Sequence, residues 1–243
     1  MMTVSALARG TVVVGKLDTI YSPTRISKAW AYDKQQRIEV GLGENIMAGD
    51  RVASQPGQSL GIALIDKSEI VLDQSAELTF GEKLDNAGHI LELYLAHGSM
   101  YLHVQSVYNY GDLLALEVPK AFFGFVSGDF YIEQDPSGSA TLRSFRGVGR
   151  VAASADKLLR DNAYTMVDQS YQYTARQLGA PIIFKISDAI KKLNVTNPLL
   201  ARHAEKIRQE RFPLPYEPGS GAGSAAVKTP FPTSNGAPRQ LLH

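Results

Sequence analysis

Leu91-Glu92-Leu93-Tyr94-Leu95-Ala96-His97-Gly98-Ser99-Met100-Tyr101-Leu102-His103-Val104 decides the fold class. Leu91, Leu93 and Leu95 alternate with Glu92 and Tyr94, and Met100, Leu102 and Val104 alternate with Tyr101, His103 and Gln105. A period of two places successive side chains on opposite faces of a strand, so each half reads as a half-buried strand. His97-Gly98-Ser99 between them reads as a turn, because glycine and serine accept turn geometry at low cost.

The same grammar extends both ways. Upstream, Leu60, Ile62 and Leu64 share one face, as do Ile70 and Leu72, and then Leu78 and Phe80. Downstream come Leu114, Leu116 and Val118, then Phe123 and Phe125, then Phe130 and Ile132. Asp66-Lys67-Ser68, Asp85-Asn86-Ala87-Gly88, Asn109-Tyr110-Gly111-Asp112 and Asp135-Pro136-Ser137-Gly138 separate these runs as turns. Earlier strands are expected over residues 10–15 and Arg37 to Val40, with turn signals at Tyr21-Ser22-Pro23-Thr24 and Gly41-Leu42-Gly43. Many short strands at this spacing predict a mainly β domain, a sandwich or roll of antiparallel strands, over residues 1–154.

Beyond residue 154 the pattern changes. Leu158, Leu159, Ala163, Met166 and Val167 fall near one face of a helix expected from Ala155 to Leu178, ended by Gly179-Ala180-Pro181. Ile182-Ile183-Phe184 is a short apolar run. Ser187 and Asn197 are expected N-caps, the second followed by Pro198 at the first helical position. This gives a helical, basic segment over 155–211. A Pro/Gly/Ser-rich tail over 212–243 follows, with too little apolar surface to order itself alone.

The 243 residues carry a net charge of +1, which by itself points to no partner. Its distribution is uneven: residues 1–154 hold 13 Lys/Arg against 17 Asp/Glu, and residues 155–243 hold 12 against 7. An acidic β part thus precedes a basic helical part. There is no cysteine, which excludes disulfides and thiolate sites. No apolar run approaches the roughly 20 residues of a membrane-spanning helix. The N-terminus, Met1-Met2-Thr3-Val4, lacks a basic stretch followed by a long apolar one, so no signal peptide is read there.

No motif supplies a reaction. Gly57-Gln58-Ser59-Leu60-Gly61 has the G-x-S-x-G spacing, but a nucleophile elbow needs a strand before its serine and a helix after it. Here a strand follows. Gly41-Leu42-Gly43 and Gly147-Val148-Gly149 do not complete a dinucleotide fingerprint, and read as turn or bulge glycines. His89, His97, His103, His203 and His243 form no H-x-H or H-x-x-x-H pair, so no metal site or cofactor is expected. Asp66, Glu69 and Asp73 cluster in sequence, and Asp85, Glu92 and Glu117 do so more loosely; solvated strand edges explain both groups. The basic segment lacks interleaved aromatics or a DNA-binding motif, so no nucleic-acid partner is expected.

The chain from about Gly41 to Val151 resembles the FecR-like domain. Gly49-Asp50, the strand Leu60 to Ile65 with its Asp66-Lys67-Ser68 turn, and the run Leu93 to Val104 follow that family's order. So do Pro119 and Ala121, Gly128 to Ile132, and Arg146-Gly147. Val118 stands where threonine is usual, and Lys67 where the turn usually has glycine. The resemblance implies a β domain of periplasmic sensor-regulators, which relay a signal to membrane and sigma-factor partners.

Together these readings lead to a non-enzymatic interaction subunit. It would be peripheral to the membrane and would dock on a larger bacterial assembly such as a photosynthetic, respiratory, transport or secretion complex. Expected contacts are Tyr101, Tyr108, Tyr110, Arg202, Lys206, Arg208, Arg211, Phe212, Tyr216 and Phe231, since aromatics and arginine are favoured at interfaces. The alternatives are a FecR-type sensor-regulator of the envelope and a carbohydrate-binding envelope protein dependent on Glu92 or Glu117.

Overall fold

The structure is a computed structural model. It describes residues 12–23, 28–33, 36–86, 89, 91–105, 113–161, 164–169, 171–174 and 182–183. All of them fall in the first of two compact units, Met1–Phe212. The helices expected from Ser187 and Pro198, and the tail, lie outside the described residues.

The strands are β1 (Val13–Tyr21), β2 (Lys28–Asp33), β3 (Gln36–Gly41), β4 (Asn45–Met47), β5 (Arg51–Ala53), β6 (Ser59–Leu64), β7 (Glu69–Leu72) and β8 (Glu77–Phe80). They continue as β9 (Glu92–His97), β10 (Ser99–Val104), β11 (Leu114–Val118), β12 (Ala121–Gln134) and β13 (Ala140–Ala152). After a short helix, α1 (Ala155–Leu159), come β14 (Thr165–Val167), β15 (Tyr171–Thr174) and β16 (Ile182–Ile183). The fold is mainly β, as the period-two pattern requires.

The long β12 organises the sheet. Its first part pairs with β11 and its second with β10, while β13 runs along its other edge. One branch continues as β11-β9-β8-β5-β2-β3 and the other as β10-β7-β6-β1-β4. All pairs are antiparallel except β9 with β11, which run parallel because β10 lies between them in sequence but in the other branch. Inward side chains of both branches meet in one core. Val52, Leu78, Leu93, Leu95 and Leu116 come from the first, and Leu60, Ile62, Leu72, Met100 and Leu102 from the second. Phe123, Phe125 and Phe130 of β12 close the join, with the last two rings 4.5 Å apart.

β12 must bend where it passes between branches. The register shifts between Phe125 and Gly128, and Gly128 faces Gly147 of β13. Gly128 has φ +134° and Gly147 has φ +79°, backbone regions that side-chain-bearing residues rarely adopt. A Cβ on Gly128 would lie 2.2 Å from the Arg146 carbonyl oxygen, and one on Gly147 would lie 2.2 Å from that of Ser127. The glycines therefore allow the close approach that turns the ribbon, as at other bulges.

The expected helix from Ala155 to Leu178 is corrected. Ser154 caps α1 by accepting from the Lys157 N–H, and Asp156 in the first turn suits the helix dipole. The helix ends at Leu159. Thr165–Val167 and Tyr171–Thr174 instead pair with two parts of β13, so the sheet continues past residue 154. The helical spacing of Met166 and Val167 yields to strand pairing with a distant partner, against which a local helix preference is a weak term.

Candidate functional site

Two groupings of polar side chains stand out on the faces turned away from the core. The first is buried. Tyr101 and His103 of β10, Asp129 of β12 and Arg146 of β13 come together because His103 pairs in register with Asp129, and Asp129 with Arg146. The Tyr101 hydroxyl donates to Asp129 Oδ1 at 2.5 Å, and His103 Nδ1 lies 2.8 Å from the same oxygen. Arg146 Nε meets Asp129 Oδ2 at 2.5 Å. Glu69 of β7 stands opposite His103 on the other side.

Burial disfavours the Asp129 carboxylate. Hydrogen bonds from His103 and Tyr101, with the Arg146 charge, outweigh that and hold its pKa below the ordinary value. Burial, followed by the Asp129 charge, keeps the Tyr101 hydroxyl protonated far above its usual range. The carboxylate is engaged by three donors and the phenol holds its proton. This arrangement clamps β10, β12 and β13 together.

The second grouping is an open cleft of about 200 Å³ on the outer face of the first branch. Its floor is a cross-strand row: Thr79 of β8 pairs with Tyr94 of β9, Tyr94 with Glu117 of β11, and Glu117 with Phe122 of β12. Beside that row Glu92 pairs with Ala115. The alternation that sends Leu93, Leu95, Leu114 and Leu116 inward sends Glu92, Tyr94 and Glu117 outward. Ala155 and Leu159 of α1 form one wall. Leu158 holds that wall in place by burying itself against Leu113, Ala115 and Ala152.

The cleft is apolar in its walls and acidic in its floor. Tyr94 is 37% exposed and Leu159 40%. Glu92 is held by Lys83 at 3.2 Å. Glu117 is exposed, and among the described residues its carboxylate has no hydrogen-bond or ion-pair partner.

The expected contact residues are placed as follows. Tyr101 is buried at 2% exposure with its hydroxyl spent on Asp129, so it anchors the β10–β12 pair and presents no surface. Tyr108, Tyr110, Arg202, Lys206, Arg208, Arg211, Phe212, Tyr216 and Phe231 lie outside the described residues. Ser59 of the G-x-S-x-G run opens β6 and is buried, with strand after it where an elbow needs helix. His89 pairs with Asp85 within its own loop at 2.8 Å. Among the described residues no three side chains are gathered that could hold a metal ion, and no helix is long and apolar enough to cross a membrane.

The sequence groups Glu92 and Glu117 loosely with Asp85 and offers either for a carbohydrate site, but does not reveal their convergence with Tyr94, Phe122 and α1. Nor does it reveal the Asp129 cluster. Tyr101 and His103 alternate visibly onto one face, but nothing local reveals that Asp129 and Arg146 are their cross-strand neighbours.

The chain matches no protein-family profile and no curated protein, so the FecR-like resemblance rests on the motifs quoted above. Two solved structures are similar to it, both described as a "putative anti-sigma factor" from Parabacteroides distasonis ATCC 8503. Each has a TM-score of 0.43, at 10% and 9% identity, covering 56% of this chain and 59% of the other. The chain thus spans about three fifths of the length of the structures it resembles.

Proposed function

We propose that this chain acts by recognising a partner protein, without catalysis, as a sensor-regulator of the cell envelope of the FecR type. The observation that carries the recognition reading is the cleft between α1 and the β8-β9-β11-β12 face, with its exposed Tyr94 and Leu159 around a Glu117 that has no partner among the described residues. Apolar side chains left at the surface around a polar centre have the composition of a contact patch.

The order of the FecR-like motifs supports the signalling role over that of an accessory subunit. Asp66-Lys67-Ser68 forms the β6–β7 turn, Gly98 the β9–β10 turn, and Pro119 with Lys120 the β11–β12 turn. Arg146-Gly147 sits at the bend of β13. The accessory-subunit reading shares the FecR-like grammar and the lack of a catalytic motif; what is particular to it, the basic arm and the proline-rich tail, lies mostly outside the described residues.

Purification from native membranes of the whole chain, beside a Tyr94→Asp variant, tests the proposal. A membrane-anchored receptor or regulator recovered with the wild type and lost with the variant is the expected result. Recovery of a respiratory, photosynthetic or secretion assembly, equally with both proteins, would overturn it.

A further inference from the structure

We infer that the cleft receives a lysine or arginine side chain of the partner protein. Glu117 would be its counter-charge, with Tyr94 in the floor and Leu159 in the wall flanking its aliphatic stem. The inference rests on the recognition reading above and specifies the chemistry of what is recognised.

Four aromatic rings of this protein take arginine as a neighbour. Arg37 lies over Trp30 with 3.3 Å from guanidinium carbon to ring centroid, and Arg51 lies 4.2 Å over Tyr32. Arg150 lies 4.8 Å over Tyr164, and Arg143 lies 5.9 Å from Tyr131. Tyr94 stands on the same register row as Tyr32 and Arg51, through Thr79. Yet among the described residues Tyr94 has no such cation. Its neighbour in the row is a carboxylate, Glu117, which also lacks one.

An aromatic face beside a carboxylate that has no partner among the described residues, under an apolar wall, matches the two ends of a long cationic side chain. The methylene stem covers apolar surface while the charged head reaches the carboxylate. The ring adds a cation–π attraction to the head group. The other carboxylate of the cleft, Glu92, is neutralised by Lys83, so the unbalanced charge is at Glu117. A neutral oligosaccharide could stack on Tyr94 and donate hydroxyls to Glu117, but it would leave that charge unbalanced.

The test is an NMR titration of the full chain with three probes: acetyl-Leu-Arg-Leu-amide, the same tripeptide with citrulline for arginine, and chitotetraose. The arginine peptide is expected to shift resonances of Tyr94, Leu159 and Phe122, and to weaken as salt is raised. An exposed ion pair is worth up to about 1 kcal/mol, so citrulline in the probe, or Glu117→Gln in the protein, is expected to weaken binding by up to about fivefold. Tyr94→Leu, which keeps the apolar contact, is expected to weaken it by about two- to fivefold through loss of the cation–π contact. Equal binding of the citrulline peptide, indifference to Glu117→Gln, or occupation of the cleft by chitotetraose and not by the peptide would each overturn the inference. A partner whose native recovery needs Tyr94 but is unchanged by Glu117→Gln would leave the recognition reading standing and remove the cation. An arginine peptide that fills the cleft, with no partner recovered through Tyr94, would do the reverse.

Discussion

Tyr101 and Asp129 face each other diagonally across the β10–β12 pair, with the Tyr101 hydroxyl donating to Asp129 Oδ1 at 2.5 Å. Both side chains are buried on the face turned away from the core. His103 and Arg146 complete the ring of donors, so three strands are tied through one carboxylate.

Replacing Asp129 by Ala removes the carboxylate that the Tyr101 hydroxyl, His103 and Arg146 share. Arg146 is partly exposed, so the cost is that of the lost hydrogen bonds to a charged acceptor, about 2–3 kcal/mol. Tyr101→Phe removes one donor from a carboxylate that keeps two, at a cost nearer 1 kcal/mol. Urea denaturation of both variants checks the order, and a Tyr101→Phe loss equal to that of Asp129→Ala would contradict the clamp.

The same carboxylate makes stability depend on acid. Its folded-state pKa lies below its ordinary value of 3.8. The stability it contributes is therefore complete above that value and is lost as pH falls through the lower folded-state value. Urea midpoints measured from about pH 5 to about pH 2.5 are expected to fall more steeply for the wild type than for Asp129→Asn, which has no proton to gain. Parallel pH curves would contradict this.

How legible was this in the sequence? The strands from Ser59 to Val104 were, because Leu60, Ile62, Leu64 and their successors alternate without interruption. The helix expected through Leu178 was not, since Thr165–Val167 and Tyr171–Thr174 take their conformation from pairing with β13. Helical and strand spacings coincide over such short apolar runs, and only the distant partner decides between them. The cleft was half legible. Glu92 and Glu117 stood out as carboxylates, but their shared face depends on the parallel β9–β11 pairing, which closes over the whole of β10.

Gly128 is expected to be intolerant of substitution. Alanine there would place its Cβ against the Arg146 carbonyl at a positive φ. Left-handed strain of about 1–2 kcal/mol adds to overpacking of about 1–3 kcal/mol. Gly43 has φ +80° but open space around its would-be Cβ, so Gly43→Ala should show the strain alone. Equal thermal destabilisation by the two variants would contradict the account of the bend.

Leu158 is 1% exposed and fixes α1 on the sheet. A helix of five residues has little stability of its own. Leu158→Ala is expected to cost about 2–3 kcal/mol locally, and to speed amide exchange in α1 while leaving β10 and β12 protected. Uniform loss of protection across the sheet would mean that α1 is not a separable wall of the cleft.

The proposed partner face is the outer side of β9 and β11 beside α1. Site-specific photo-crosslinking in native cells tests it most directly, with benzoylphenylalanine placed at Tyr94 and, as a control on another exposed surface, at Tyr21. The account predicts a discrete protein adduct from position 94 and none from position 21, with the adduct reduced by Glu117→Arg. No adduct from position 94, or the same adducts from both positions, would contradict it.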